Sequence, residues 1–386
     1  MGDGRLALVT EAFGDCPYQR GSCRADPSST QTSVDPEAAV VTTSVLLLAD
    51  PGAPAALAEE LSEDLPKLLP RDSKSSSPWA VSVQTGSYPL SEQASLAEVL
   101  EVVDPAGQRQ DVVVYVTDLP RRDGTQPVVA DISVPQRFGV ISVPSVGGLL
   151  ISRRVRTMVK SVVHEVTGER DAKAAAFSRL TRTEDQGAVR YAAPSRFARL
   201  RLLMGMVYAN RPWKLAAGMS RVLMATFATG AVSLAYPTIW QLSSTMGSWR
   251  LSVTTVLATA AMVAWLIVNH KLWERPSSPI ERERAAMYNT STVVTLTTGV
   301  VVLHMTCFLL LLLTAWWTLP PQLLQQSLGH PVGAADYLRL AWLVAAVATL
   351  GGALGSGLED DDAVKQAAYG ARQQERFDRS GPAADG

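Results

Sequence analysis

The run TDLPRR (Thr117 to Arg122) carries the most pointed chemistry in this sequence: an aspartate closing an apolar stretch, followed at once by two guanidinium groups. A carboxylate holds a cation or a proton, and neighbouring arginines grip phosphate or carboxylate through bidentate hydrogen bonds. Asp50 and Thr85 also close apolar runs. Together Asp50, Thr85, Asp118, Arg121 and Arg122 form the set from which a ligand site, above all one for a small anion, would be built. No GxGxxG or GxxxxGK loop accompanies them, which favours the plainer role of acids that organise turns and arginines that meet water or lipid headgroups. His164 and Glu165 open a helical zinc motif, but Gly168 stands where its second histidine belongs, and GxSxG is absent. Neither a metal site nor a cofactor is expected.

A second group of residues lies in apolar surroundings. His304 is the one ionisable side chain near the middle of a long charge-free run, with Thr297 and Cys307 on roughly the same helical face. An intramembrane histidine can relay protons or touch a substrate, and a neutral one can simply hydrogen-bond between helices; the latter is favoured. Gly351 and Gly355, with Gly352 and Ala348 beside them, form a small-xxx-small pair that lets helices approach closely.

The elements that must position these residues fall into two halves. The chain of 386 residues carries 35 Lys+Arg against 36 Asp+Glu, a balance that gives no reason to expect nucleic-acid binding. Its 47% hydrophobic content averages a polar first half with an extremely apolar second half. Three cysteines, Cys16, Cys23 and Cys307, can build neither a disulfide scaffold nor a four-cysteine zinc site. Residues 1–40, rich in Ser, Thr, Asp, Gly and Pro, read as a disordered leader without a signal-peptide core. From Val45 strands alternate with helices: strands at Val45–Asp50, Trp79–Val83, Asp111–Asp118, Pro127–Ser133 and Phe138–Pro144, helices at Ala55–Leu69 and Ser91–Val103, with Ser91 as N-cap. A helix over Ile151–Leu180 follows. This predicts a cytosolic α/β domain over residues 43–183, an open sheet in two or three layers, with ligands expected beyond the carboxyl ends of its strands. Residues 184–213 read as an amphipathic connector lying in the membrane interface, since Phe197, Leu200, Leu203 and Met206 alternate with arginines.

An all-α bundle of four transmembrane helices is predicted over 214–358, at about 222–240, 251–269, 292–317 and 340–358, because roughly 20 apolar residues cross about 30 Å of hydrocarbon. Lys and Arg crowd the flanks before span one, between spans two and three, and after span four, which assigns those flanks and both termini to the cytoplasm. Seven of nine tryptophans fall near span ends, and residues 359–386 form a polar cytosolic tail. The expected surroundings are an inner-membrane bilayer, a protein partner or small anion, and further copies of the chain in a homo-oligomer.

The stretches RLRLLMGMVYANRPWKL (Arg199 to Leu215), ATGA (Ala228 to Ala231), IWQL (Ile239 to Leu242) and VYVTDLPRRDGTQPVVADIS (Val114 to Ser133) resemble a family of uncharacterised actinobacterial four-span membrane proteins. The resemblance covers most of residues 43–358. It implies the topology above, and some relatives bear the label methylenetetrahydrofolate dehydrogenase, which implies folate and nicotinamide chemistry. Such enzymes depend on a lysine in the folate domain, whereas this chain has none between Lys74 and Lys160. Three functions follow from these readings. The leading one is a membrane protein whose cytosolic domain binds a partner or small anion, with the bundle as anchor or sensor. The others are a membrane-bound enzyme for a phosphorylated or lipid-like substrate, using Asp118, Arg121 and Arg122, and a small oligomeric transporter using His304.

Overall fold

A computed structural model describes residues 43–69, 79–124, 126–168, 180–212, 220–276 and 281–355. The leader at 1–40, with Cys16 and Cys23, and the tail at 359–386 lie outside the described residues. An α/β region comes first and a helical region follows.

Eight strands form one sheet: β1 Ser44–Ala49, β2 Ala80–Thr85, β3 Val112–Thr117, β4 Arg122–Asp123, β5 Gln126–Ser133, β6 Phe138–Ser142, β7 Thr181–Asp185 and β8 Ala188–Ala192. Their order is β2-β1-β3-β6-β5-β8-β7, with β4 paired to β5. The first four in that order run parallel, and β5, β8 and β7 continue it antiparallel. Parallel strands covered on both faces read as unbroken apolar runs, which is why VLLLA and VVVYV are buried throughout. Helices α1 (Ala53–Leu68), α3 (Val143–Val146) and α4 (Ile151–Thr167) pack on one face, where Leu57, Leu61 and Leu65 meet Val155, Val159 and Val162. Helix α2 (Leu96–Val103) covers the other through Val99 and Val103. The parallel half is therefore three layers thick. β1 connects to β2 on one side and β2 returns past it to β3, so the chain changes direction between β1 and β3.

Three boundaries differ from expectation. Helix α2 starts at Leu96, because Ser95 and Glu98 close a reciprocal capping box and Ser91 caps nothing. Helix α4 ends at Thr167, where Gly168 takes φ 75°, and residues 169–179 lie outside the described part. The polar hairpin β7–β8 then extends the sheet to Ala192, past the boundary expected at residue 183, turning on Gln186 and Gly187 at positive φ.

Helix α5 (Ala198–Ala209) opens the helical region, followed by α6 (Ser220–Ser233), α7 (Pro237–Thr245), α8 (Ser248–Asn269), α9 (Glu281–Thr318), α10 (Pro321–Leu328) and α11 (Ala334–Gly355). Helices α8, α9 and α11 are long and apolar enough to cross a membrane, and the count reaches four if α6 and α7 are taken as one span. Those two helices meet at 93°, so the first expected span, 222–240, is not one rod. Pro237, at the first turn of α7, cannot donate the amide that a continuing helix would need. Helix α11 begins at Ala334, ahead of the expected residue 340. Trp342 therefore sits inside the bundle and donates its indole N–H to Thr255 at 2.8 Å, away from a span end. Exposed Trp249, Trp316 and Trp317 lie at helix ends and Trp273 just beyond one, as an aromatic belt requires.

Helix α5 lies within the stretch expected to be an interfacial connector. It runs parallel along the first turns of α9: Arg199 pairs with Glu283 at 2.7 Å, Met206 packs on Tyr288, and Asn210 donates to Ser291 and Thr295. Apolar residues occur all round α5, so Leu202, Met206 and Ala209 are buried while Phe197, Leu200 and Met204 stay exposed. At 38 residues, or about 57 Å, α9 far exceeds the hydrocarbon thickness, and its first turns serve as the post to which α5 is bound.

Candidate functional site

In an open α/β sheet the crevice for a ligand lies outside the carboxyl ends of the strands where the connections reverse direction. Here that place is the gap between β1 and β3, and Asp50 and Asp118 flank it. Asp50 is fully buried at the end of β1. Its carboxylate accepts hydrogen bonds from the Tyr115 hydroxyl at 2.7 Å, the Thr117 hydroxyl at 2.5 Å and the Asp118 amide at 3.1 Å. These three donors satisfy a carboxylate that is cut off from water. Next to it, Gly52 takes φ 98° before α1 starts, a backbone state open to glycine. The Gly52 carbonyl accepts from the Arg211 guanidinium at 3.2 Å, so the segment following α5 reaches the crevice. Tyr88 sets its ring edge-on to Tyr115 with centroids 5.4 Å apart. Burial first, and the Asp50 charge second, push the Tyr88 hydroxyl above its ordinary range.

The two arginines part company. Arg121, one of the ligand candidates of the sequence, turns its side chain inward and is buried. Its guanidinium bonds Asp131 at 2.8 Å and the carbonyl of Ala94 at 3.0 Å, and its backbone is held by Ser142 and Ser145. Asp131, buried on β5, also takes a 2.7 Å bond from Arg190 on β8, which in turn reaches Asp123. A charge in the middle of an apolar strand needs such partners, and this chain of four residues ties three strands together. Arg122 lies in β4, partly exposed, with its backbone paired to Pro127. Thr85 is exposed at the end of edge strand β2, opposite Ala49. Asp50 and Asp118 are thus brought together, Thr85 and Arg122 stand at the rim, and Arg121 leaves the set.

Glu92, which no sequence motif marks, belongs to the same end of the sheet. Its side chain is only 6% exposed and lies 3.5 Å from the Arg284 guanidinium of α9. Burial pushes its carboxyl up to about 7, with Arg284 and Arg122 opposing that rise and Glu274 adding to it. Arg284 also stacks over Tyr288 at 5.3 Å, and Asn289 bonds both the amide and the carbonyl of Glu274. No local motif announces Glu92, because its importance arises from a helix nearly two hundred residues away in sequence. Among the described residues no group of three or more His, Cys, Asp or Glu is arranged to hold a metal ion.

In the bundle, His304 is buried between α9 and α11 with its Nδ1 3.1 Å from the Thr349 hydroxyl. That hydroxyl donates to the carbonyl of Ala345, which leaves it to accept from the Nδ1–H of the ring. Trp342 lies edge-on to it at 5.9 Å. At the α6–α11 contact the small residues that matter are Gly352, whose added Cβ would fall on Thr226, and Ala348, which faces Gly230. Gly351 meets Thr229 at the margin of this contact, and the surroundings of Gly355 lie outside the described side chains. Comparison with protein-family profiles, curated proteins and solved structures finds no match to this chain.

Proposed function

We propose that this is a multi-pass membrane protein with both termini in the cytoplasm, whose α/β domain binds a small ligand or partner at the β1–β3 crevice and signals occupancy to the helical bundle. The observation that carries this reading is the continuity of α9. It is one helix from Glu281, beside the α/β region, to Thr318 at the far end of the bundle. Two contacts deliver the crevice to its first turns: Glu92 to Arg284 from the sheet side, and α5 along Glu283 to Thr295. Arg211 on Gly52 adds a third link at the crevice itself. The acids Asp50 and Asp118 are held by the strand ends, and Arg122 offers a cation to an anionic group at the rim. Thus the ligand class that fits is small and polar, with an anionic moiety for Arg122.

The experiment uses the full chain in nanodiscs titrated with inorganic phosphate, a nucleoside diphosphate and magnesium, singly and combined. Hydrogen exchange is followed in residues 45–52, 112–122 and 281–295. Slower exchange in all three segments, lost in Asp118→Asn and Arg122→Ala, supports the reading. Absence of any change with every probe, or a change confined to 45–52 and 112–122, overturns ligand binding or its coupling respectively.

A further inference from the structure

Two arginines converge on the turn that follows β6, one from each of the helices beside it. Arg201, half-buried on α5, donates from Nε to the carbonyl of Ser145 at 2.7 Å. Arg154, on the first turns of α4, donates from Nη1 to the carbonyl of Val146 at 3.2 Å. Both close on Gly147, which takes φ 99°. A Cβ at that glycine would stand 3.2 Å from Arg201 Cγ, 3.7 Å from its Nε and 3.4 Å from Arg154 Nη1, so only a residue without a side chain lets the two guanidinium groups approach this closely. The arrangement is held firmly. Gly205 of α5 lies so near Pro144 that any Cβ would collide with its backbone, and Ser142 and Ser145 bond the carbonyls of Leu119 and Arg121.

The charges of this pair are not matched. Arg156 and Arg199, two positions away on the same helices, find Asp64 and Glu283, whereas among the described residues no carboxylate forms an ion pair with Arg154 or Arg201. Burial first, and the Arg154 charge second, hold the Arg201 guanidinium below its ordinary range. Each guanidinium spends one N–H on a carbonyl and keeps four more, in the planar fork that grips phosphate oxygens. The first turn of α4 carries no acid and no side-chain cap, so its amides add to the positive potential. Position agrees, because Ser142 pairs with Thr117 and the turn therefore lies at the carboxyl end of the sheet.

We infer that Arg154 and Arg201 form a binding site for a soluble dianionic phosphate group, either inorganic phosphate or the phosphate of a small ester. Two cations balance its two charges and relieve their own repulsion. The source follows from distance. Asn210 meets α9 at Ser291, where the expected span 292–317 begins, and Arg201 is nine residues, about 14 Å, short of that level along α5. A headgroup layer roughly 5–8 Å deep does not reach it.

The test titrates the full chain, in phosphatidylcholine nanodiscs, with sodium phosphate against sodium chloride of equal ionic strength. Phosphate should slow hydrogen exchange several-fold in residues 147–154 and 198–203 and raise the thermal midpoint by a few degrees. Arg154→Gln should abolish both responses, and Arg201→Lys, which keeps the charge and loses the fork, should weaken them. Without phosphate, Arg154→Gln should raise the midpoint, since it removes a repulsion; a residue serving only the fold would lower it. Arg122→Ala should leave both responses intact, so that this site and the β1–β3 crevice stand or fall separately. An equal response to chloride, no response to phosphate, or a response that survives Arg154→Gln overturns the inference. Protection that appears with phosphatidylglycerol nanodiscs and no added phosphate would assign the site to lipid headgroups and overturn it as well.

Discussion

Replacing Asp131 by Asn decides whether the arginine of TDLPRR serves a ligand or the fold. Asp131 is buried and receives both Arg121 and Arg190 at 2.7–2.8 Å. The amide keeps the shape of the carboxylate but leaves the Arg121 guanidinium, itself 5% exposed, without a counter-charge. Stranding one member of a buried pair costs about 3–5 kcal/mol. For a region near 150 residues each kcal/mol moves the unfolding midpoint by about 2–4 °C, so a fall of roughly 6–20 °C is expected. Arg190 suffers less, since it is 39% exposed and keeps Asp123. The assay is thermal unfolding of the full chain in mild detergent, followed by protection of the α/β region from protease. Removing both charges, as Arg121→Met with Asp131→Leu, should recover most of the loss, because two apolar side chains of similar volume need no desolvated partner. A loss below about 1 kcal/mol for Asp131→Asn, or a double variant worse than either single one, would refute the structural role of Arg121.

Three further outcomes are expected. Between pH 4.5 and about 7 folded Glu92 holds its proton while the unfolded chain releases it, so stability falls as pH rises through that window. Glu92→Gln should flatten this slope and raise stability above pH 7 by up to about 3 kcal/mol, as urea titrations at pH 5 and pH 8 would reveal. Gly352→Val should weaken the bundle by about 1–3 kcal/mol or more, since even a first carbon collides with the Thr226 hydroxyl; Thr226→Ala should restore part of it in an unfolding titration. Ser95→Ala opens the capping box of α2 and should cost about 1 kcal/mol, measurable as a midpoint shift of about 2–4 °C.

Periodicity made the parallel strands, α1 and the long apolar helices legible, since buried strands and spans are written in continuous apolar runs. The hairpin β7–β8 escaped because TRTED is exposed along its whole length and offers no alternation to read. Span one read as continuous because apolar composition says nothing of direction, and only Pro237 hints at the 93° bend. At the candidate site, Asp50 and Asp118 were readable from their place at strand ends. Arg121 and Arg122 separate for a physical reason: adjacent residues on an extended segment point opposite ways, so a sequence pair of arginines need not share a task. The clue to the partner of Arg121 was present in Asp131, a lone charge within PVVADIS that had to be neutralised somewhere. Glu92 had no comparable clue, as its ion pair joins segments that only the tertiary fold brings together.

The contact of α6 with α11 also bears on how the chain is made. These are the first and last apolar helices after α5, and Thr226 and Gly230 on one match Gly352 and Ala348 on the other. During synthesis the earlier helix leaves the ribosome long before its mate exists, with a hydroxyl and a notch turned toward whatever surrounds it. Completion of the bundle therefore waits for the closing helix, and a chain stopped short of Gly352 would present quality-control proteases with an unfinished seam.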